Sequence, residues 1–277
     1  MKLDYLILRF IRHWLPDSAA HFLLHHRLII KPGYETSNPT AAVSVYLEIL
    51  QAQGFGLEDR HVLIFGYGGR FGVGCGLLQA GAASVTLSDR FAPPDDAENA
   101  ALLDLYSALL NNEDGGRILP ADDRLRLTNA DIRDAAWQPG TPTYDLVLSN
   151  SVYEHLDDVE GITAALARLT HPHGMHIHNI DLRDHYFKYP FEMLTYPEKI
   201  WKQWLNPGSN LNRLRLQDYR AVFERYFEDV KTEVLARELD AFRSARARIR
   251  SEFLSGDELS DSVSLLRVIA RNPKQEF

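Results

Sequence analysis

Three sets of residues in this chain have the types and spacing to do chemistry. The first is a glycine-dense turn, Gly66-Tyr67-Gly68-Gly69-Arg70-Phe71-Gly72, directly after the apolar run Val62-Leu63-Ile64-Phe65. Glycines let a backbone turn sharply at a strand end and approach a ligand where any Cβ would clash, and a following helix points its first amides at an anionic group. A dinucleotide fingerprint needs its third glycine where this chain has Phe71, and the glycine arrives one residue late, at Gly72. The second is Asp89, which ends a further apolar run 23 residues beyond Gly66, where a carboxylate can accept hydrogen bonds from ribose hydroxyls. The third is a pair of histidines, His155 and His185, whose imidazoles titrate near neutrality and can take a proton from a reacting oxygen or nitrogen.

A parallel sheet would position all three. Apolar runs near 61–66, 84–88, 125–129, 144–149 and 175–180 alternate with helical patterns, as in a sheet wrapped by helices on both faces. Each candidate then falls near the carboxyl end of a strand, where open α/β sheets bind ligands. Ahead of the first strand, residues 31–39 read as a loop and 40–53 as a helix with Val43, Tyr46, Leu47 and Leu50 on one face. Residues 1–16 read as an amphipathic helix with an apolar stripe at positions 3, 6, 7, 10, 11 and 14. Packing against protein is the expected use of that stripe, with peripheral membrane contact or self-association as the other uses of such a face.

Beyond residue 181 the pattern turns aromatic: Tyr186, Phe187, Tyr189, Phe191, Tyr196, Trp201 and Trp204, broken by Pro190, Pro197 and Pro207. This segment reads as an insertion over about 182–215, either the core of a cap or the wall of a pocket. A helix over 216–227, a basic helical stretch over 239–253 and β-rich runs at 230–235 and 263–270 complete the chain. The division expected is a helical region over 1–56 and one large domain over 57–277.

With 277 residues, 45% hydrophobic and 25% charged, the chain can build a substantial core, and a net charge of -8 argues against a nucleic-acid footprint. Its one cysteine, Cys75, excludes an intrachain disulfide, and the reducing cytosol is the expected compartment. Residues 1–16 carry Lys2, Asp4, Arg9 and Arg12 and fall short of the roughly 20 apolar residues a membrane helix needs. A dense run of histidines, His171, His173, His176 and His178 with His185, lacks the ligand set and geometry of a metal centre, so no metal is expected there.

The segment Tyr144-Asp145-Leu146-Val147-Leu148-Ser149-Asn150-Ser151-Val152-Tyr153-Glu154-His155-Leu156 resembles the fourth-strand motif of class I S-adenosylmethionine (SAM) dependent methyltransferases. Three further matches stand in order: the glycine turn with Asp89, the turn Asn129-Ala130-Asp131-Ile132, and His171-Pro172-His173-Gly174 before the fifth strand. Together they span residues 62 to about 180. One departure is Ile64, where many members of that family carry a carboxylate.

The resemblance implies a Rossmann-like, doubly wound α/β fold with seven strands, mostly parallel and closed by an antiparallel C-terminal hairpin. It implies SAM as cofactor and methyl transfer to a small-molecule acceptor. Gly66, Gly68 and Gly72 would shape the turn around the methionine part, Asp89 would bind the ribose, and Asp131 the adenine amino group. Ile132 would cover the ring, and Asn150 would lie near the sulfonium. His185, with His155 and Tyr186, would face the acceptor. The late motifs Asp181-Leu182-Arg183-Asp184-His185-Tyr186, Asn210-Leu211-Asn212-Arg213-Leu214-Arg215 and Asp218-Tyr219 resemble bacterial members of the same family. Two other readings stay open: a nicotinamide-dependent oxidoreductase, against which Phe71 argues, and a non-catalytic protein on the same fold.

Overall fold

The computed structural model describes residues 3–14, 38–136, 140–186, 188–206 and 210–274. Most of the loop expected at 31–39, together with Phe187 and Pro207, lies outside them. In chain order the elements are α1 (Leu3–Trp14), α2 (Pro39–Ala52), β1 (His61–Phe65), α3 (Gly72–Gln79), β2 (Ser84–Ser88), α4 (Asp96–Ala100), β3 (Leu110–Glu113), β4 (Arg117–Pro120), β5 (Leu125–Thr128) and α5 (Ile132–Ala135). There follow β6 (Tyr144–Asn150), α6 (Val159–Arg168), β7 (Thr170–Asp181), α7 (Glu198–Ile200), α8 (Leu216–Tyr226), β8 (Phe227–Arg237), α9 (Leu239–Arg246), α10 (Glu258–Asp261) and β9 (Val263–Pro273).

The sheet has seven strands in the order β5-β2-β1-β6-β7-β9-β8. The first five are mutually parallel, while β9 runs antiparallel to both β7 and β8. The order reverses between β1 and β6, and the crevice beyond that reversal is where a doubly wound sheet takes a ligand.

Why β1 is central can be read from its side chains. Val62 and Ile64 enter one core with Val43, Tyr46, Leu77 and Val85, and Leu63 enters a second with Leu166, Tyr219 and Phe223. A strand buried on both faces needs such an unbroken apolar run. Two helices start on side-chain caps of this kind: Asn38 accepts from the Ala41 amide at 3.0 Å ahead of α2, and Asp158 from the Gly161 amide at 2.8 Å ahead of α6.

A third core joins two stretches distant in sequence, Phe191, Met193, Trp201, Leu205 and Leu211 with Phe242, Ala245 and Ile249. The aromatic segment is therefore largely the inside of a cap, and α9 completes it. The basic helix expected over 239–253 stops at Arg246, because Arg248 turns aside to fork onto Glu192 and the Arg250 amide donates to the Leu194 carbonyl.

Two other expectations differ from the structure. Between β2 and β5, where a full crossover helix was expected, the described chain has only the short α4, a series of turns and the antiparallel β3–β4 hairpin. Its tip holds Gly115 and Gly116 at φ +97° and +81°, a conformation that turns Asp114-Gly115-Gly116 into a hairpin end. On α1 the stripe is divided: Leu6 packs against the third core and the Phe10 ring lies 6.4 Å from that of Trp204, while Leu3 and Ile7 are exposed and Tyr5 and Arg9 are buried. Arg9 pairs with buried Asp184 and donates to the Leu205 carbonyl at 2.9 Å, while the Tyr5 hydroxyl donates to the same carboxylate at 2.5 Å. A buried charge persists only when paired and hydrogen-bonded, so this ion pair, together with Leu6 of the stripe, seats the helix on the cap.

Candidate functional site

The glycine turn after β1 places Gly66, Gly68 and Gly69 at φ +77°, +62° and +79°. At Gly66 the space is also closed, since a Cβ would stand 2.3 Å from Val152 Cγ2. At Gly68 nothing lies within 4 Å, and the left-handed backbone alone selects glycine. Gly72 opens α3, close against Pro39. Fully buried Asn99 locks the turn, donating to the Gly69 carbonyl at 2.8 Å and accepting from the Phe71 amide at 2.9 Å. Sequence reasoning missed Asn99, for which the only signal was an amide residue inside an otherwise ordinary helical stretch.

Asp89 at the end of β2 ties into this turn. One carboxylate oxygen accepts from the Gly68 amide at 3.1 Å and the other from the Phe91 and Ala92 amides at 2.9 Å each. A carboxylate has about four acceptor sites, so capacity remains for a ligand hydroxyl.

The turn borders a cavity of about 430 Å³, within the range of small-molecule sites. Gly66, Gly68, Gly72 and Asn150 all line it, joined by Tyr46 from α2 and by Tyr67, Ser149 and Ser151. Ser151 sits at φ +54°, a strained conformation for a residue other than glycine, of the kind that clusters at functional sites. Asp89 stands one hydrogen bond from that wall, through Gly68.

Asp131 and Ile132 do not line the cavity. Asp131 caps α5 and is bound by Arg133 and Arg90, which hold its carboxyl down at about 2. Ile132 is buried in the second core. None of the described aromatic residues of the cap lines the cavity either.

At the carboxyl ends of β6 and β7 the structure brings His155 and His185 together, with ring centroids 4.9 Å apart in an edge-to-face arrangement. Burial, reinforced by the neighbouring His155, pushes the His185 imidazolium down to about 4. Tyr186 turns away toward α1: its ring lies 5.7 Å from that of Tyr5 and under the Arg9 guanidinium at 4.7 Å.

Glu154 completes the group. It was legible in the Tyr153-Glu154-His155 run yet was not singled out, because nothing in the sequence tells that its side chain points inward. It is 3% exposed, neither carboxylate oxygen makes a hydrogen bond among the described residues, and burial pushes its carboxyl up to about 8.

The late motifs hold this region in place. Asn212 donates to the carbonyls of Tyr153 and Leu156 at 2.6 and 3.1 Å, and the Tyr219 hydroxyl bonds both the Tyr153 carbonyl and Asn212. Arg215 reaches the carbonyls of Leu182, Asp261 and Val263, anchoring the chain just before His185. Arg213 bonds the carbonyls of Met193 and Tyr196 in the cap.

The other histidines do not gather with His185. His176 and His178 are buried inside β7, in a hydrogen-bonded chain Ser149–His178–His176–Thr170 with steps of 2.7, 3.1 and 2.7 Å. His171 and His173 are exposed.

No family model matches the chain, and no curated protein matches its sequence. Solved structures do. A Galdieria sulphuraria protein provisionally assigned as a sarcosine dimethylglycine methyltransferase superposes with a TM-score of 0.52 at 11% identity, over 88% of this chain and 92% of that one. An O-methyltransferase family protein of Burkholderia thailandensis gives 0.50 at 11% identity, over 87% of this chain and 59% of that one. A Nostoc punctiforme protein provisionally assigned as an O-methyltransferase gives 0.49 at 14% identity over 84% of this chain, which spans only 56% of its length. The strand order, with the two likenesses at TM-scores of 0.52 and 0.50, shows a Rossmann-like fold such as these methyltransferase-assigned structures have.

Proposed function

We propose that the protein is a SAM-dependent methyltransferase acting on a small-molecule acceptor. The observation that carries this reading is the left-handed glycine turn, tied by its Gly68 amide to Asp89 and opening onto a cavity of about 430 Å³ at the point where strand order reverses. Structures of two other methyltransferases with this fold contain SAM or its demethylated product, which supports the choice of cofactor. Gly66, Gly68 and Gly72 would border the methionine part, Asp89 the ribose, and Asn150 the sulfonium. Asp131 and Ile132 are assigned to the adenine end, where the two arginines on Asp131 leave it fewer free acceptor positions.

In the transfer, a lone pair of the acceptor attacks the methyl carbon, the carbon–sulfur bond breaks, and the acceptor loses a proton. Alignment supplies most of the gain in such a reaction. We assign His155 and His185 to the acceptor side. Neutral at pH 7, His185 can orient an acceptor hydroxyl or amine through its lone pair, although an imidazole held near 4 is a weak proton acceptor.

Calorimetry with SAM, S-adenosylhomocysteine and NAD tests the reading. Binding of the first two and not of NAD is expected, and preferential binding of NAD would overturn it. Gly68→Val should abolish cofactor binding, because valine is strained at φ +62°.

A further inference from the structure

Glu154, His155 and His185 each present one donor atom to a common point, and the three atoms lie within 4.8 Å of one another. They come from the turn after β6 and the loop after β7, elements paired in the sheet. Both oxygens of Glu154 lack hydrogen-bond partners among the described residues although the residue is buried. A buried carboxyl whose oxygens find no donor takes up either a proton or a cation. The nearby guanidinium of Arg183 is committed to Asp181, at 2.7 and 2.9 Å.

We propose that Glu154, His155 and His185 form a binding site for one divalent first-row transition cation beyond the carboxyl ends of β6 and β7. Two imidazoles and one carboxylate are a ligand set suited to zinc, iron, cobalt or manganese, and three protein ligands leave positions open for water or a substrate. Donors of a tetrahedral ion with bonds of about 2.1 Å stand roughly 3.4 Å apart, so closing onto an ion takes side-chain rotation and no movement of the strands. The turn that carries two of the ligands is fixed by Asn212 and Tyr219, which suits a site that must hold its donors against rearrangement. Next to Glu154 a cavity of about 10 Å³ lies between Asp181 and Asn212, room for about one water.

Cation binding stands on these residues alone. The use of the open positions rests on the methyltransferase reading: they would take an acceptor that binds through oxygen, such as a hydroxyl beside a second oxygen donor. The cation would lower the acceptor's proton affinity.

The test uses the full chain, stripped with a chelator, dialysed and titrated with Co²⁺ followed by visible absorption and with Zn²⁺ followed by calorimetry. One equivalent should bind, with cobalt bands characteristic of nitrogen and oxygen ligands. His155→Ala, His185→Ala and Glu154→Gln should each weaken binding at least about tenfold. A His171→Ala/His173→Ala variant, which alters the exposed pair, should bind as wild type does. Absence of stoichiometric binding, affinity unchanged in His155→Ala and His185→Ala, or loss in the control variant would overturn the site. Both histidines are half-buried, so their variants decide the matter if Glu154→Gln fails to fold. S-adenosylhomocysteine calorimetry on the same samples separates the two ideas: cofactor binding without cation binding removes the metal site only, and the reverse removes the methyltransferase reading only.

Discussion

Two of the neighbouring histidine pairs among the described residues differ in almost everything except proximity. His176 and His178 have ring centroids 5.2 Å apart and His155 and His185 4.9 Å. In the first pair one hydrogen-bonded chain from Ser149 to Thr170 runs through both rings, and the rings pack against Phe227 and Phe223. In the second the rings sit half-buried at the sheet's carboxyl edge and share their space with a carboxylate that has no donor. A polar network whose members satisfy one another stabilises and specifies a core, whereas one left incomplete at a cleft has capacity for something from outside. Proximity of titratable groups alone therefore does not mark a site; what remains unsatisfied after the protein has made its own bonds does.

Four experiments can break or sharpen that contrast. The largest effect is expected from His185→Ala, which should lower single-turnover methyl transfer by about 10²-fold or more through lost acceptor placement, with affinity for SAM little changed. Equal rates for the variant and wild type would put His185 outside the reaction. His155→Ala should give a smaller loss.

In the other pair, His178→Leu should leave cofactor affinity unchanged and destabilise the fold by about 2–4 kcal/mol in urea unfolding, because Ser149 and His176 would each lose a buried partner. Unaltered stability would dissolve the distinction between the pairs.

Asp89→Ala is expected to weaken SAM binding by about 1–3 kcal/mol by calorimetry, combining loss of a charge-assisted acceptor with loosening of the Gly68 turn. Unchanged affinity in a folded variant would remove Asp89 from the cofactor site.

The last effect is graded by pH. Burial pushes His178 down to about 3 and lowers His176 as well, while both take protons near 6.5 when unfolded. The unfolded state binds the extra protons below pH 6.5, so the stability these groups contribute is complete above that value and falls as the pH drops toward 3. His178 should remove about 1.4 kcal/mol per pH unit in that window, and His176 acts in the same direction. Unfolding free energies at pH 7, 6 and 5 should decline along this slope, and less steeply in His178→Leu; identical slopes would contradict the assignment.

What was legible in the sequence follows the distance over which each feature is built. The glycine turn is encoded in seven consecutive residues, and its φ values need no distant partner, so it could be read directly. The β-strand runs were equally plain, because central parallel strands must be apolar on both faces. The fold needed only those signals. The inward direction of Glu154 depends on a turn held by Asn212, 59 residues from Tyr153, and the cap core joins Phe191 to Phe242. No local pattern records such pairings. The face of α1 was read only in part for a related reason: apolar periodicity points to Leu6, which does pack on the cap core, but a charge on Asp184 175 residues away draws in Arg9 as well.

That last contact has a practical side. Asp184 immediately precedes His185, so the first helix grips the backbone at the residue next to the proposed acceptor ligand. The two cores that flank the sheet draw on no residue of α1. A protein shortened by its first 14 residues would leave Asp184 buried without Arg9 and Tyr5, so the damage should fall on the cap and the loop that carries His185 while the sheet's two flanking cores stay whole.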